Sequence, residues 1–396
     1  MNTILHITRM NFQSNKAHVY TTSKTCEALA MQDNTRVILL SSDDSLIDGQ
    51  KREEFFTKHN IKNRFDIASL PSFSNRLKGS RVRLINWLET ATVNFSILKY
   101  VYLNRHNFST LYYRDCSLVL PILFTRYILK KPIFIEIHAV LHKKHGQFFN
   151  NYFSKISNGL IVISYGLKNY YEKLNKNILV AFCAASEPER FEIIRESIEQ
   201  LRNRLNLPIN RIILMYSGNL YKTGNYDSYG IEDIINVMPY LSSKFIFIGV
   251  GKKGNETAEH EELVKKLGIS DKVMFLPWVS KQEVYEYWKS SDILLLPSAG
   301  AQIGNSPTKM FEYLASGKVI VSAKTTAIEE VLVDSKNCLL VSDYRNPKEW
   351  SEKIDLVCDN TDLRSKLISQ ALQDSKEFTW ENRGYRINEF ILVNIK

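Results

Sequence analysis

Short apolar, β-branched runs recur through the second half of the chain, at 212–216, 245–250, 273–276, 293–297, 319–322 and 338–341. Between them lie stretches whose apolar residues return at helical spacing, for example 231–241, 261–267, 281–289 and 307–315. Strand and amphipathic helix in alternation imply parallel βαβ units in an open, doubly wound sheet. The first half carries the theme more loosely, with candidate strands at 3–8, 36–40, 110–114, 133–138 and 160–164. Residues 186–204 read as a linker followed by a charged helix. A chain of 396 residues exceeds one ordinary core, and two domains of roughly 150–200 residues are expected. The pattern therefore predicts an α/β protein with one Rossmann-like domain at 1–185 and a second at 186–380. The segment 381–396, with a helix at about 381–393, is a candidate to cross back to the first domain. Two such domains in tandem would turn their strand C-termini toward a central cleft, and ligands of these sheets bind outside the strand ends.

The segment 306–317 carries the sharpest local signal. Ser306 suits an N-cap, Pro307 the first helical position, and Gly317 a left-handed C-terminal residue. At helical spacing Met310, Phe311 and Leu314 share one face, and Thr308, Lys309, Glu312 and Ser316 the other. Lys309 stands out, because a cation in the first turn opposes the helix dipole at a cost of about 0.3–1 kcal/mol. An anion filling the gap resolves the conflict, since a helix N-terminus plus a lysine suits a phosphate. Glu312, one turn on, is placed to accept hydrogen bonds from hydroxyls beside that phosphate. Phosphate followed by vicinal hydroxyls describes a nucleoside diphosphate. Taken alone, the segment reads equally as a solvated helix face with an ordinary Lys–Glu pair.

Composition narrows the class. Apolar residues make up 44% and charged residues 24%, an ordinary globular balance. The five cysteines are scattered, odd in number and never spaced as CxxC, which argues for reduced thiols in a cytosolic protein and against a disulfide framework or zinc site. The start of the chain looks like a strand rather than a signal peptide, and no apolar run reaches the ~18 residues of a membrane span. The net charge of +10 sits in the first half, densest between residues 51 and 150. Within that region Arg76, Lys78, Arg81 and Arg83 interleave with Leu77, Val82, Leu84, Ile85, Trp87 and Leu88. A solvated helix face is one reading of residues 76–88. Adsorption to an anionic membrane surface is the other, each basic residue adding roughly 1 kcal/mol. No recognition motif accompanies the charge, so nucleic acid is not expected as a partner.

The ordered set of motifs resembles the retaining glycosyltransferases of family 4, which have the GT-B fold. Residues 305–323 are similar to that family's donor-site block, and 215–221 to its glycine turn after the first strand of the donor domain. Phe275-Leu276-Pro277-Trp278-Val279, then Glu283, then 292–297 follow the family's order. In the first half the similarity rests on 14–19 with 26–30, on 135–138 and on 159–164. The resemblance implies transfer of a sugar from a UDP- or GDP-sugar, with retention at the anomeric carbon and with neither an essential metal nor a cofactor. It implies that Gly218 and Asn219 let the backbone approach the diphosphate. Ser306 and Lys309, aided by Lys222, would neutralise it within a block that includes Asn305 and Thr308. Glu312 would hold the ribose, and Trp278 and Val279 would lie near the base. His138, with Glu136 two residues before it, would meet the donor sugar. Asn15 and His18 of the first loop would line the acceptor side. Chemically this is coherent, because cations aimed at the β-phosphate stabilise the charge that develops as the sugar leaves.

Residue by residue, plainer readings stand beside these. His138 also fits a satisfied core histidine, Arg114 a surface ion pair as well as an acceptor contact, His18 an ordinary loop residue and Trp278 simple packing. Glu136 alternates with His138 on one strand face, and two polar residues there are costly unless partnered or solvated. Three departures from the family pattern stand out: Gly304 where a glutamate is usual, a longer segment 222–230 after the glycine turn, and Phe182-Cys183-Ala184-Ala185 where an Asp is usual. The expectation is a cytoplasmic enzyme building bacterial polysaccharide (O-antigen, capsule or similar) on a glycan or lipid-linked acceptor, at the inner face of the plasma membrane. The alternatives are a UDP-sugar 2-epimerase of the same fold and a catalytically degenerate subunit.

Overall fold

A computed structural model of the chain describes residues 1–12, 17–46, 48–70, 83–114, 117–141, 144–185, 188–220, 229–252, 257–297 and 307–395. The chain divides into two compact units, one of Met1–Cys183 with Thr379–Lys396, the other of Ala184–Phe378.

In the first unit, strands β1 (Asn2–Thr8), β2 (Thr35–Ser41), β3 (Asp66–Ser69), β4 (Thr110–Tyr113), β5 (Ile133–Ile137), β6 (Gly159–Val162) and β7 (Ile178–Val180) form one sheet. Their order is β3-β2-β1-β4-β5-β6-β7, every pair parallel. The central strands β4, β5 and β6 are buried along their whole length, as a sheet covered on both faces requires. Strands β3 and β7 escape the sequence pattern because they are short edge strands with a single fully buried residue each, whereas the equally short edge strand of the second unit, Leu339–Val341, is buried throughout. The order reverses between β1 and β4, so the C-terminal ends at Thr8, Tyr113 and Ile137 stand side by side at a topological switch point.

The second unit has strands β8 (Ile212–Ser217), β9 (Phe245–Lys252), β10 (Val273–Pro277), β11 (Ile293–Leu296), β12 (Val319–Ala323) and β13 (Leu339–Val341). Their order is β10-β9-β8-β11-β12-β13, again all parallel. Apolar strand faces and helices interlock around Phe247, Leu295, Ile234 and Trp350, all completely buried. The switch point lies at β8, which is followed directly by Gly218.

The closing helix, Trp380–Asn394, belongs to the first unit and packs on the Ala17–Ala30 helix. The helix expected at 306–317 spans Thr308–Leu314. Pro307 occupies the N-cap position rather than the first turn, with extended φ, ψ of −67° and 121° and no side-chain cap. Gly317 has φ +67°, the left-handed residue expected there.

Candidate functional site

In the second unit, a cavity of about 220 Å³ opens at the C-terminal ends of β8 and β9. Gly218, Trp278, Val279 and Lys309, all predicted site residues, line it together with Gly251, Ser280 and Lys281. Two glycines make the floor possible. Gly218 has φ +138° and Gly251 φ +135°, and a Cβ on Gly251 would stand 2.0 Å from the Gly218 carbonyl oxygen. Only residues without a Cβ let the two backbones pass this closely.

Lys309 reaches over that floor. Its Nζ lies where a Cβ on Gly218 would be, 2.2 Å from that position. The Tyr216 hydroxyl accepts from Nζ at 3.2 Å, and the Tyr216 ring lies 4.6 Å below the ammonium. Burial pushes the lysine down to about 8, partly opposed by the negative charge of Glu312. An ammonium carries three donors, and among the described residues Tyr216 is its one hydrogen-bond acceptor. The group is therefore desolvated, incompletely matched and set in a cavity, which is the electrostatic profile of an anion-binding lysine.

The rest of the predicted donor block is distributed around this centre. Glu312 is not a solvated partner on an exposed face: it is 5% exposed. Its Oε2 accepts from the Tyr285 hydroxyl at 2.8 Å, and its Oε1 lies 3.8 Å from Lys281 Nζ. Thr308 is half-buried at the start of the helix. Asn219 is exposed and donates to the Tyr229 hydroxyl at 2.8 Å. Trp278 is 51% exposed at the cavity rim, so plain core packing does not account for it. Lys222, Asn305 and Ser306 lie outside the described residues, as do Gly304 and the longer segment at 222–228.

In the first unit, a second cavity of about 340 Å³ sits at the switch point. His18, Arg114, Glu136 and His138 line it with Thr8, Arg9 and Asn150. His18 belongs to the first turn of the Ala17–Ala30 helix rather than to a loop. Asn15 lies outside the described residues. Arg114 is held by Thr21 and Thr22, whose hydroxyls accept from it at 3.1 and 3.3 Å, and it lines the cavity.

Glu136 takes a different part from the one expected of a catalytic carboxylate. It is 3% exposed, and its oxygens accept from Tyr112, His138 and Arg383, the last at 2.8 Å. Burial alone would push the carboxyl up; Arg383, His138 and Arg114 reverse this and hold it well below the usual carboxylate range. A buried carboxylate so fully engaged is placed to orient its neighbour. That neighbour is His138, whose Nε2 faces Glu136 Oε1. Burial and the Arg114 cation push the imidazole down to about 4, so the ring is neutral at pH 7.

Sequence reasoning missed Arg383, Tyr112, Tyr216, Gly251, Lys281 and Tyr285. Gly251 alone had a local signal, a glycine ending the apolar run 245–250; the others act through contacts distant in sequence. Among the described residues, no three His, Cys, Asp or Glu side chains gather as a metal site, and no helix is long and apolar enough to cross a membrane. The basic positions 76–82 lie outside the described residues, and the Arg83–Leu103 helix begins immediately after them.

Residues 197–374 match the family model for Glycosyl transferases group 1. A D-inositol 3-phosphate glycosyltransferase from a Nocardioides species is 24% identical over 219 residues, covering 50% of this chain and 47% of that relative. The chain thus spans about half the length of the curated relatives it matches. Among solved structures, the sucrose-phosphate synthase of Thermosynechococcus elongatus superposes with a TM-score of 0.75 at 13% identity, covering 99% of both chains. Anabaena Alr3699/HepE in complex with UDP superposes with a TM-score of 0.72 at 16% identity, covering 99% of this chain and 100% of that one. The fold is that of the GT-B glycosyltransferases.

Proposed function

We propose that this protein is a retaining glycosyltransferase that moves a sugar from a nucleoside diphosphate donor, bound in the second unit, to a glycan or lipid-linked acceptor bound in the first. The observation that carries the reading is Lys309, a half-buried lysine whose ammonium lies over Gly218 in a cavity. The Glycosyl transferases group 1 match over the same unit and the UDP held by the structural neighbour support it. In this reading the diphosphate lies on the Gly218–Gly251 floor and takes the hydrogen bonds that Lys309 lacks. The helix behind it is only seven residues long, so Lys309 rather than the helix dipole supplies most of the charge. Trp278 stacks on the base, and Glu312 exchanges its long Lys281 contact for a ribose hydroxyl. Transfer breaks the bond between the anomeric carbon and the β-phosphate oxygen and joins that carbon to an acceptor hydroxyl. The hydroxyl proton leaves with the nucleoside diphosphate. A cation fixed at the departing phosphate strengthens its interaction as charge develops, which lowers the barrier rather than merely tightening binding.

His138, neutral and oriented by Glu136, is proposed as a hydrogen-bonding partner of the sugar substrates, with Arg114 and His18 on the acceptor side. The excess of Lys and Arg between residues 51 and 150 supports work in the cytoplasm against an anionic membrane that carries a lipid-linked acceptor. Bacterial polysaccharide synthesis supplies such acceptors. The test is a thermal-shift screen of UDP-, GDP- and other nucleotide sugars. The donor that binds is then offered with membrane extract, and label transfer to glycolipid is measured. Stabilisation by one nucleotide class and transfer with retained anomeric configuration are expected. Binding without transfer supports a non-catalytic subunit, and conversion of the donor sugar without any acceptor supports the epimerase. Stabilisation by no nucleotide refutes the reading.

A further inference from the structure

The returning helix brings a charge to the first unit that nothing in the local sequence announces. Gly384 sets how near the Trp380–Asn394 helix lies, because a Cβ there would stand 2.5 Å from the backbone carbonyl of Ala28. The preceding residue, Arg383, is 5% exposed and directs its guanidinium inward. One nitrogen donates to the carbonyls of Ala181 and Phe182, the other to Glu136 Oε1 at 2.8 Å. That oxygen also faces His138 Nε2, while the second carboxylate oxygen accepts from Tyr112. A carboxyl buried this deeply keeps its charge only beside a cation. An ionised carboxylate accepts and cannot donate, so the imidazole facing it must present Nε2–H. The ring's Nδ1 is then the lone pair left over, on a side chain that lines the cavity.

We propose that Arg383 is a positioning residue for His138: carried in by the last helix, it keeps Glu136 ionised, and Glu136 fixes His138 as the Nε2–H tautomer whose Nδ1 accepts from a substrate hydroxyl. The groups facing this pair come from several elements. Tyr112 is on β4 and Arg114 just after it, His6 is on β1, Cys26 is on the Ala17–Ala30 helix and Cys183 follows β7. Among these described groups Glu136 is the sole carboxylate, facing the two cations Arg114 and Arg383. The substrate contact rests on the function proposed above; the tautomer does not.

The experiment is NMR of histidine-labelled full-length protein between pH 5.5 and 8.5, with the His138 signal assigned by its loss in His138→Asn. The wild type should hold the Nε2–H tautomer without titrating across this range. In Arg383→Met the Glu136–His138 pair should take up one proton near neutral pH. The apparent His138 titration should move up from about 4 into the range observed, a rise of at least about 1.5 units. Arg383→Lys should restore the wild-type spectrum in large part. Should Arg383→Met fail to fold, Glu136→Gln tests the same link without touching the helix, and loss of the fixed tautomer is expected. An unchanged tautomer and no titration in either variant overturns the proposal. The nucleotide-sugar screen of the wild type is scored separately: binding of no nucleotide removes the donor reading and leaves the tautomer result standing.

Discussion

Raising the pH through 8 should weaken UDP binding, and the size of the effect follows from Lys309. Burial pushes this lysine from 10.5 to about 8 in the ligand-free protein. A diphosphate bound against it favours the ammonium and raises its pKa by about 1–3 units. Below pH 8 the lysine is charged in both states and affinity is flat. Above pH 8 the free protein loses its proton while the complex keeps it, so binding must recapture one. At pH 9.5 the predicted loss is roughly 8–30-fold, or about 1–2 kcal/mol, the larger figure for the larger shift. Calorimetry at pH 7.5 and 9.5, repeated in buffers of different ionisation enthalpy, measures both the affinity and the proton uptake, which should approach one per UDP near pH 9. The uracil ring also titrates there, so Lys309→Met supplies the reference, and only uptake absent from that variant belongs to the lysine. Equal affinity at both pH values after this correction refutes Lys309 as the phosphate cation. The apo protein should show the opposite trend. The folded-state pKa is depressed, so between pH 8 and 10.5 the unfolded chain holds the extra proton and stability gains as pH rises. At pH 7 Lys309→Met should therefore raise the melting temperature of the ligand-free protein while weakening, but not abolishing, UDP binding.

Other substitutions divide the site into parts. Gly218→Ala places a methyl 2.2 Å from Lys309 Nζ, and UDP affinity should fall at least tenfold with the far-ultraviolet circular dichroism unchanged. Trp278→Ala removes a half-exposed ring; the melting temperature should hold while calorimetry shows nucleotide binding weaker by about 1–3 kcal/mol, the usual worth of a base stack. Gly384→Ala drives a methyl into Ala28, and chemical denaturation should show a loss of about 1–3 kcal/mol, the range for overpacking.

Both sheets were legible in the sequence because their central strands are buried on both faces and read as unbroken apolar runs. Strands β3 and β7 were not, because each has one fully buried residue and so makes no apolar pattern, while β13, as short and also at an edge, is buried throughout and was legible. In the second unit the resemblance singled out Gly218, Trp278 and Lys309, and one cavity at the strand ends gathers all three. Of the two readings of the helix at 306–317, the solvated polar face fails at Glu312. A carboxylate looks solvated until a tyrosine from another helix, here Tyr285, is found to bury it. In the first unit Glu136 and His138 announced themselves by alternation on one strand. Their division of labour did not, because it depends on Arg383, 247 residues further along the chain, and spacing carries no record of such a contact.

A crystal structure of the protein with UDP tests the central claim most directly. The β-phosphate is expected within hydrogen-bonding distance of Lys309 Nζ, about 2.7–3.2 Å, above Gly218, with the uracil against Trp278 and the ribose toward Glu312. UDP seated elsewhere, or in the first-unit cavity beside His138, contradicts it.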